Sequence, residues 1–254
     1  MKIKYFKYQS SGNNFILIDC INQKFNFDGK INTLIKHPIV KKSDGILFLT
    51  NSKKSDFILS FYNPDGSRSF CGNGSLCSLY YLKAKNQIQE TASFISLGKR
   101  YSAKISSEIS LKMKNITSFK CFDDEYFIDS GAPHHIKFVD NVHSFDIKIE
   151  ADLIRKRPFY RLKDCNVNLV SYLGDGSIYV RTFEKGVERE TLSCGTGAVA
   201  SVVAFSLYKN HPVNKVKTKG GVLKVLFKRN KLYKFSDIYL IGQPTEEYSG
   251  EILF

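Results

Sequence analysis

The hydrophobic positions of this chain fall mostly into short runs bounded by polar turns. Phe15-Ile-Leu-Ile, Ile46-Leu-Phe-Leu, Phe57-Ile-Leu-Ser-Phe and Ile109-Ser-Leu-Lys-Met have the length and flanking residues of strands. The same holds for residues 167–173, 178–183, 222–227 and 232–241, and for Met1-Lys2-Ile3-Lys4-Tyr5 at the start. Two segments break the pattern. Residues 74–85 place Leu76, Leu79, Tyr80, Leu82 and Ala84 on nearly every helical face, and residues 197–208 are apolar all round. A helix without a polar face must be enclosed. A weaker helix is expected over residues 151–157, and the polar stretch 115–124 reads as a crossover between halves. The pattern predicts a strand-rich α/β (α+β) fold of two pseudo-symmetric lobes, each a curved mixed sheet around a central buried helix.

Both apolar segments open on the same four-residue pattern. Cys71-Gly72-Asn73-Gly74 precedes the first and Cys194-Gly195-Thr196-Gly197 the second. The repeat extends upstream: Asn13 stands 58 residues before Cys71, and His134 stands 60 before Cys194. Each half therefore offers one thiol at a helix start, where unpaired N–H groups and the helix dipole favour a thiolate.

Composition narrows the alternatives. The 254 residues contain 43% hydrophobic types, with 20 Phe and 14 Tyr, enough for one large core or two ordinary ones. The net charge of +14 raises nucleic acid or a membrane surface as partners, and a basic binding module is the non-enzyme alternative. However, only eight of the 38 basic residues are Arg, and the Lys are scattered along the chain. Nucleic-acid surfaces cluster their cations and use Arg for two-pronged contacts. Neither a nucleic-acid nor a membrane partner is expected. No apolar run reaches the roughly 18 residues that span a bilayer, and the first residues lack the apolar core of a signal peptide. The expected location is cytoplasmic. Six cysteines in so long a chain do not make a disulfide scaffold, and Cys20, Cys121 and Cys165 read as small apolar residues.

No zinc-type spacing surrounds either CGxG cysteine, so no metal is expected, and acid–base chemistry between two thiols needs no cofactor. A cysteine hydrolase using His134 would leave the second CGxG without a role. Two thiols, by contrast, form an acid–base pair. The N–H groups of Gly72-Asn73 and Gly195-Thr196 would hold a substrate carboxylate and stabilise charge developing beside it. One thiolate would take an α-proton and the other thiol would deliver a proton to the opposite face.

These segments resemble the diaminopimelate epimerase family of cofactor-independent amino-acid epimerases and racemases, essentially end to end. The resemblance is carried by Ser11-Gly12-Asn13-Asn14-Phe15, Asn63-Pro64-Asp65-Gly66-Ser67 with the first CGxG, Gly131-Ala132-Pro133-His134, Asn166-Val167-Asn168, and Arg181-Thr182-Phe183-Glu184-Lys185-Gly186-Val187 with Glu190-Thr191-Leu192-Ser193 and the second CGxG. It implies Cys71 and Cys194 as the two bases, with His134 and Glu184 tuning and orienting the thiols. It implies substrate binding by Asn13, Asn63, Gly72, Asn73, Asn166, Glu184, Lys185, Gly195 and Thr196. An Arg that grips the distal substrate carboxylate in the family is Lys185 here, which keeps the charge and loses the fork. A two-cysteine racemase of another amino acid, such as histidine, is the alternative on the same fold. The implied partner is a small amino-acid substrate, and the implied assembly a homodimer. The expected lobes are residues 1–118, joined by a returning strand 245–254, and residues 119–244.

Overall fold

The computed structural model describes residues 2–21, 31–160 and 164–253. The chain divides into two compact units, the first running to Leu111 and including the segment from Gly242 onward, the second being Lys112–Ile241. The sequence places this division near residue 118. It falls earlier because the Met113 N–H donates to Ile238 O at 2.8 Å and Ile116 exchanges backbone bonds with Phe235, tying residues 113–116 to the second unit.

In the first lobe, β1 (Lys2–Ser10) turns at Ser11-Gly12, both at positive φ, into antiparallel β2 (Asn13–Asp19). Two short helices, α1 (Ile31–Lys36) and α2 (Pro38–Lys41), lead to β3 (Gly45–Thr50), which runs parallel to β2 with Phe15 opposite Gly45. Next come antiparallel β4 (Phe57–Tyr62) and the long helix α3 (Gly72–Ala84). Then β5 (Thr91–Ser96) joins β4 in parallel, followed by antiparallel β6 (Lys99–Ile105) and β7 (Ile109–Lys112).

The second lobe repeats this order. A small strand β8 (Lys120–Phe122) and β9 (Glu125–Asp129) form a hairpin, and β9 turns into antiparallel β10 (Pro133–Phe138). Helix α4 (Ile147–Arg155) leads to β11 (Asn166–Tyr172), parallel to β10 with His134 opposite Asn166. Antiparallel β12 (Ser177–Glu184) carries a short partner, β13 (Arg189–Thr191). Helix α5 (Gly195–Tyr208) then crosses to β14 (Lys215–Thr218), parallel to β12, and antiparallel β15 (Gly221–Arg229) and β16 (Phe235–Gly242) follow. The last strand, β17 (Thr245–Leu253), pairs antiparallel with β1 from Lys2↔Leu253 to Gln9↔Thr245. Met1 and Phe254 lie outside the described residues.

The central strands are continuous apolar runs because both of their faces are covered. From Phe15 to Ile18 and from Ile46 to Leu49 every residue is buried. The covering on one side is the helix. In α3 every residue from Gly72 to Leu79 is buried, and in α5 every residue from Gly195 to Ser206. The buried serines of α3 each find a carbonyl one turn back: Ser75 Oγ donates to Cys71 O at 2.8 Å and Ser78 Oγ to Gly74 O at 2.9 Å. Both helices start two residues earlier than the apolar pattern predicts, so each cysteine is itself the N-cap. Helix α4 also starts earlier than predicted, because the Asp146 carboxylate accepts the Lys148 and Ile149 N–H groups and caps it.

Candidate active site

In the first lobe, Cys71 caps α3 with an extended backbone, φ −124° and ψ 113°. The Gly74 N–H donates to its sulfur at 3.3 Å. Such a bond is stronger to a thiolate than to a thiol. One residue into the helix, Asn73 Nδ2 donates to Asn13 Oδ1 at 2.7 Å, which ties the helix start to the head of β2. A Cβ on Gly74 would sit 2.8 Å from Leu47 Cδ2, so glycine lets the helix start press onto β3. Asn63 lies in the turn after β4, where its Nδ2 reaches Ser67 Oγ at 3.0 Å and Ser69 Oγ at 3.1 Å. The amide therefore braces the segment that leads into Cys71.

In the second lobe, Cys194 stands at the N-cap position of α5 with nearly the same backbone, φ −131° and ψ 112°, but its side chain makes no capping bond. Its surroundings are polar. Cys194 Sγ lies 3.4 Å from Thr196 Oγ1, which lies 2.9 Å from His134 Nε2. His134 Nδ1 lies 3.0 Å from Asn168 Oδ1, and Asn168 Nδ2 donates to Gly197 O and Ser201 Oγ, both at 3.0 Å. The Gly197 carbonyl can only accept, so Asn168 must turn its NH2 toward it and its oxygen toward the imidazole. His134 is then protonated at Nδ1 and presents a lone pair at Nε2. Asn166 Nδ2 also donates to Nε2 at 3.2 Å, and Asn166 Oδ1 accepts the Lys185 N–H at 2.9 Å, which orients that amide as well. His134 has no exposed surface, and burial pushes it down to about 4, against opposing pulls from the Asn168 hydrogen bond and the Asp129 charge. The imidazole is neutral at physiological pH.

Glu184, at the end of β12, accepts a 2.6 Å bond from the Thr191 hydroxyl, and Ser130 Oγ holds Thr196 O at 2.7 Å. A Cβ on Gly197 would meet Asn168 Nδ2 at 2.8 Å and both His134 Cε1 and Thr182 Oγ1 at 3.2 Å, so this site has no room for a side chain.

Asn13 and Asn73 thus meet in one lobe, and His134, Asn166, Thr196 and Cys194 in the other. Asn168, Ser130 and Ser201 were not among the sequence candidates. The signal for Asn168 was an amide inside the apolar run of β11, two residues from Asn166 and so on the same face.

The other thiols differ. Cys20, Cys77 and Cys165 are buried, and desolvation, reinforced by the neighbouring Asp19 and Asp164, pushes Cys20 and Cys165 up to about 12. Cys121, expected to be a small apolar core residue, is exposed on β8 and points at Asp123 O. Cys71 and Cys194 are half-buried. Among the described residues, no helix is long and apolar enough to cross a membrane.

The family model for diaminopimelate epimerase matches residues 126–245. A diaminopimelate epimerase of Flavobacterium psychrophilum is 36% identical over 254 aligned residues, covering 96% of this chain and 97% of that protein. The chain belongs to the diaminopimelate epimerase family. Like other members of that family, it is an isomerase. A diaminopimelate epimerase of Aquifex aeolicus is 29% identical, with 98% of each chain covered. Among solved structures, a phenazine biosynthesis protein of the PhzF family from Bacillus anthracis has a TM-score of 0.81 at 13% identity, with 100% of each chain covered. That likeness concerns the fold alone.

Proposed function

We propose that this protein interconverts LL- and meso-diaminopimelate by a two-base thiol mechanism, supplying lysine and peptidoglycan precursor synthesis as a cytoplasmic homodimer. The observation that carries this reading is the matched pair of cysteines at N-cap positions, each half-buried at the start of an enclosed helix, in a chain of this family.

In the proposed reaction the N–H groups of Gly72, Asn73, Gly195 and Thr196 hold the carboxylate next to the reacting carbon. They stabilise the charge that moves onto it as the C–H bond breaks. Cys71 or Cys194, as thiolate, takes the α-proton onto sulfur. The other cysteine, as thiol, gives its proton to the opposite face of the carbon. Each turnover inverts the centre and leaves the two sulfurs with exchanged protonation states. Asn13, Asn63, Asn166, Glu184 and Lys185 hold the substrate's remaining polar groups, with His134 and Glu184 orienting and tuning the thiols.

Lys185 favours one second reading, a racemase for a different amino acid. A lysine at the expected arginine position offers a distal carboxylate no bidentate partner. Incubation in deuterated water with a panel of amino acids tests both readings. Exchange of the α-proton of diaminopimelate in both stereoisomers is expected. Exchange confined to another amino acid moves the assignment to the second reading, and no exchange with any of them, by folded protein with reduced thiols, defeats both.

A further inference from the structure

The hydrogen-bond directions around Cys194 determine what the Thr196 side chain can do. Asn168 forces the proton of His134 onto Nδ1, so Nε2 is an acceptor. It has two donors in reach, the Thr196 hydroxyl at 2.9 Å and Asn166 Nδ2 at 3.2 Å. With its hydrogen on Nε2, the hydroxyl has lone pairs left to accept from the Cys194 S–H at 3.4 Å. When Cys194 loses its proton, the preferred direction reverses. A hydroxyl bond to a charged sulfur is stronger than one to a neutral imidazole. The hydroxyl can turn to the sulfur without stranding Nε2, because Asn166 keeps donating there.

We propose that the Thr196 hydroxyl is a positioning residue that serves Cys194 in both of its protonation states, accepting from the thiol and donating to the thiolate, with Asn166 holding His134 while the hydroxyl is turned away. This rests on the reading of Cys194 as one of the two bases. A group that is acid in one half-turnover and base in the next is served in both states only by a partner that can accept as well as donate. An N–H group can only donate, and a carbonyl can only accept. The neutral state of His134 is essential, since an imidazolium would hold a hydrogen at Nε2 and force the hydroxyl to accept from it. The ionisable groups around the network are His134 on β10, Asp129 at the end of β9, itself bonded to Lys114 at 2.7 Å, and Glu184 at the end of β12. The proposal changes none of their charges. The first lobe has no rotatable hydroxyl at the matching position, where Asn73 donates to Asn13.

The test is the pH profile of thiol alkylation by iodoacetamide, followed at Cys194 and Cys71 separately by peptide mass spectrometry, in the full-length protein without substrate. Thr196→Val removes the hydroxyl at constant shape. Thr196→Ala removes it without placing a methyl against His134, in case the valine variant misfolds. Thr196→Ser restores it. The valine and alanine variants are expected to move the Cys194 midpoint upward by about one pH unit, a tenfold loss of thiolate below the midpoint. Thr196→Ser is expected to keep the wild-type profile, and the Cys71 profile to stay put in all three. An unchanged or lowered Cys194 midpoint in the hydroxyl-free variants overturns the proposal, as does a serine variant that behaves like alanine. Because alkylation needs no substrate, this outcome is independent of which amino acid is epimerised.

Discussion

Cys71 and Cys194 share a backbone conformation and a place at the start of an enclosed helix, yet the two helix starts rest on different floors. Under α3 the close contact is apolar, Gly74 against Leu47, and the tie to the sheet is the amide pair Asn73–Asn13. Under α5 the close contact is polar, Gly197 against Asn168, and a chain of hydrogen bonds runs from sulfur through Thr196, His134 and Asn168 back to the helix. The repeated frame thus fixes where each thiol stands, and the side chains beneath set how it handles a proton. In the proposed mechanism the two sulfurs then have equivalent places and unequal chemistry.

The strongest way to sharpen this contrast is to remove one thiol at a time. Cys71→Ser and Cys194→Ser are each expected to lower inversion by a factor on the order of 10³ or more, since serine is a far weaker base near neutrality. The surviving thiolate still reaches one face. Exchange of the α-proton in deuterated water, followed by NMR for each stereoisomer, should therefore fail with opposite isomers in the two variants. Identical residual patterns would break the comparison.

Stability separates the floors next. Asn168→Leu strands His134 Nδ1 and takes a partner from Ser201 Oγ in the interior, while Gly197 O keeps its helical bond, and the change is expected to cost about 3 kcal/mol in urea unfolding. Asn13→Ala, which removes one half-buried amide, should cost about 1 kcal/mol. Equal losses would mean the polar floor is no more cooperative than a single bond.

Acid acts on the second floor alone, because Asn13 does not titrate and His134 does. Burial lowers His134 in the folded state from 6.5 to about 4, so the unfolded chain takes up the proton first. Its contribution is complete above pH 6.5, declines as pH falls toward 4, and amounts to about 3 kcal/mol. His135, also lowered chiefly by burial, acts in the same direction. The share of His134 is the difference between wild type and His134→Gln in unfolding free energy measured from pH 7 to 4. Parallel curves would remove His134 from the account. The smallest effect expected is at Lys185. Restoring a guanidinium with Lys185→Arg should lower KM for diaminopimelate roughly tenfold, about the worth of one added charged hydrogen bond. A raised KM would point to a smaller substrate.

Much of the helix frame was legible in the sequence. An all-apolar segment after Cys-Gly-x-Gly admits one arrangement, an enclosed helix with the cysteine at its head. The double parallel crossover was harder to read, because β5 and β6 carry Ser, Lys and Arg on alternate, water-facing positions and lack a solid apolar run. The polar floor was only half legible. His134, Asn166 and Thr196 lie in the motifs, but which polar atom meets which depends on the parallel register of β10 and β11, which sequence spacing does not encode. Asn63 shows the same limit: its motif suggests a substrate amide, and its Nδ2 is engaged with Ser67 and Ser69.

The pairing of β17 with β1 bears on how the chain is made. Contacts such as Tyr8 Oη to Glu246 Oε2 join residues 238 positions apart. At about 5–20 residues per second, β17 leaves the ribosome on the order of tens of seconds after β1. Throughout that interval β1 has β2 on one side and an open row of N–H and C=O groups on the other, a template that a strange strand can occupy. The second lobe, continuous from Lys112 to Ile241, has no such wait. The first lobe to be synthesised is therefore the last to be completed, and its nascent form is the one that most needs a chaperone's shelter.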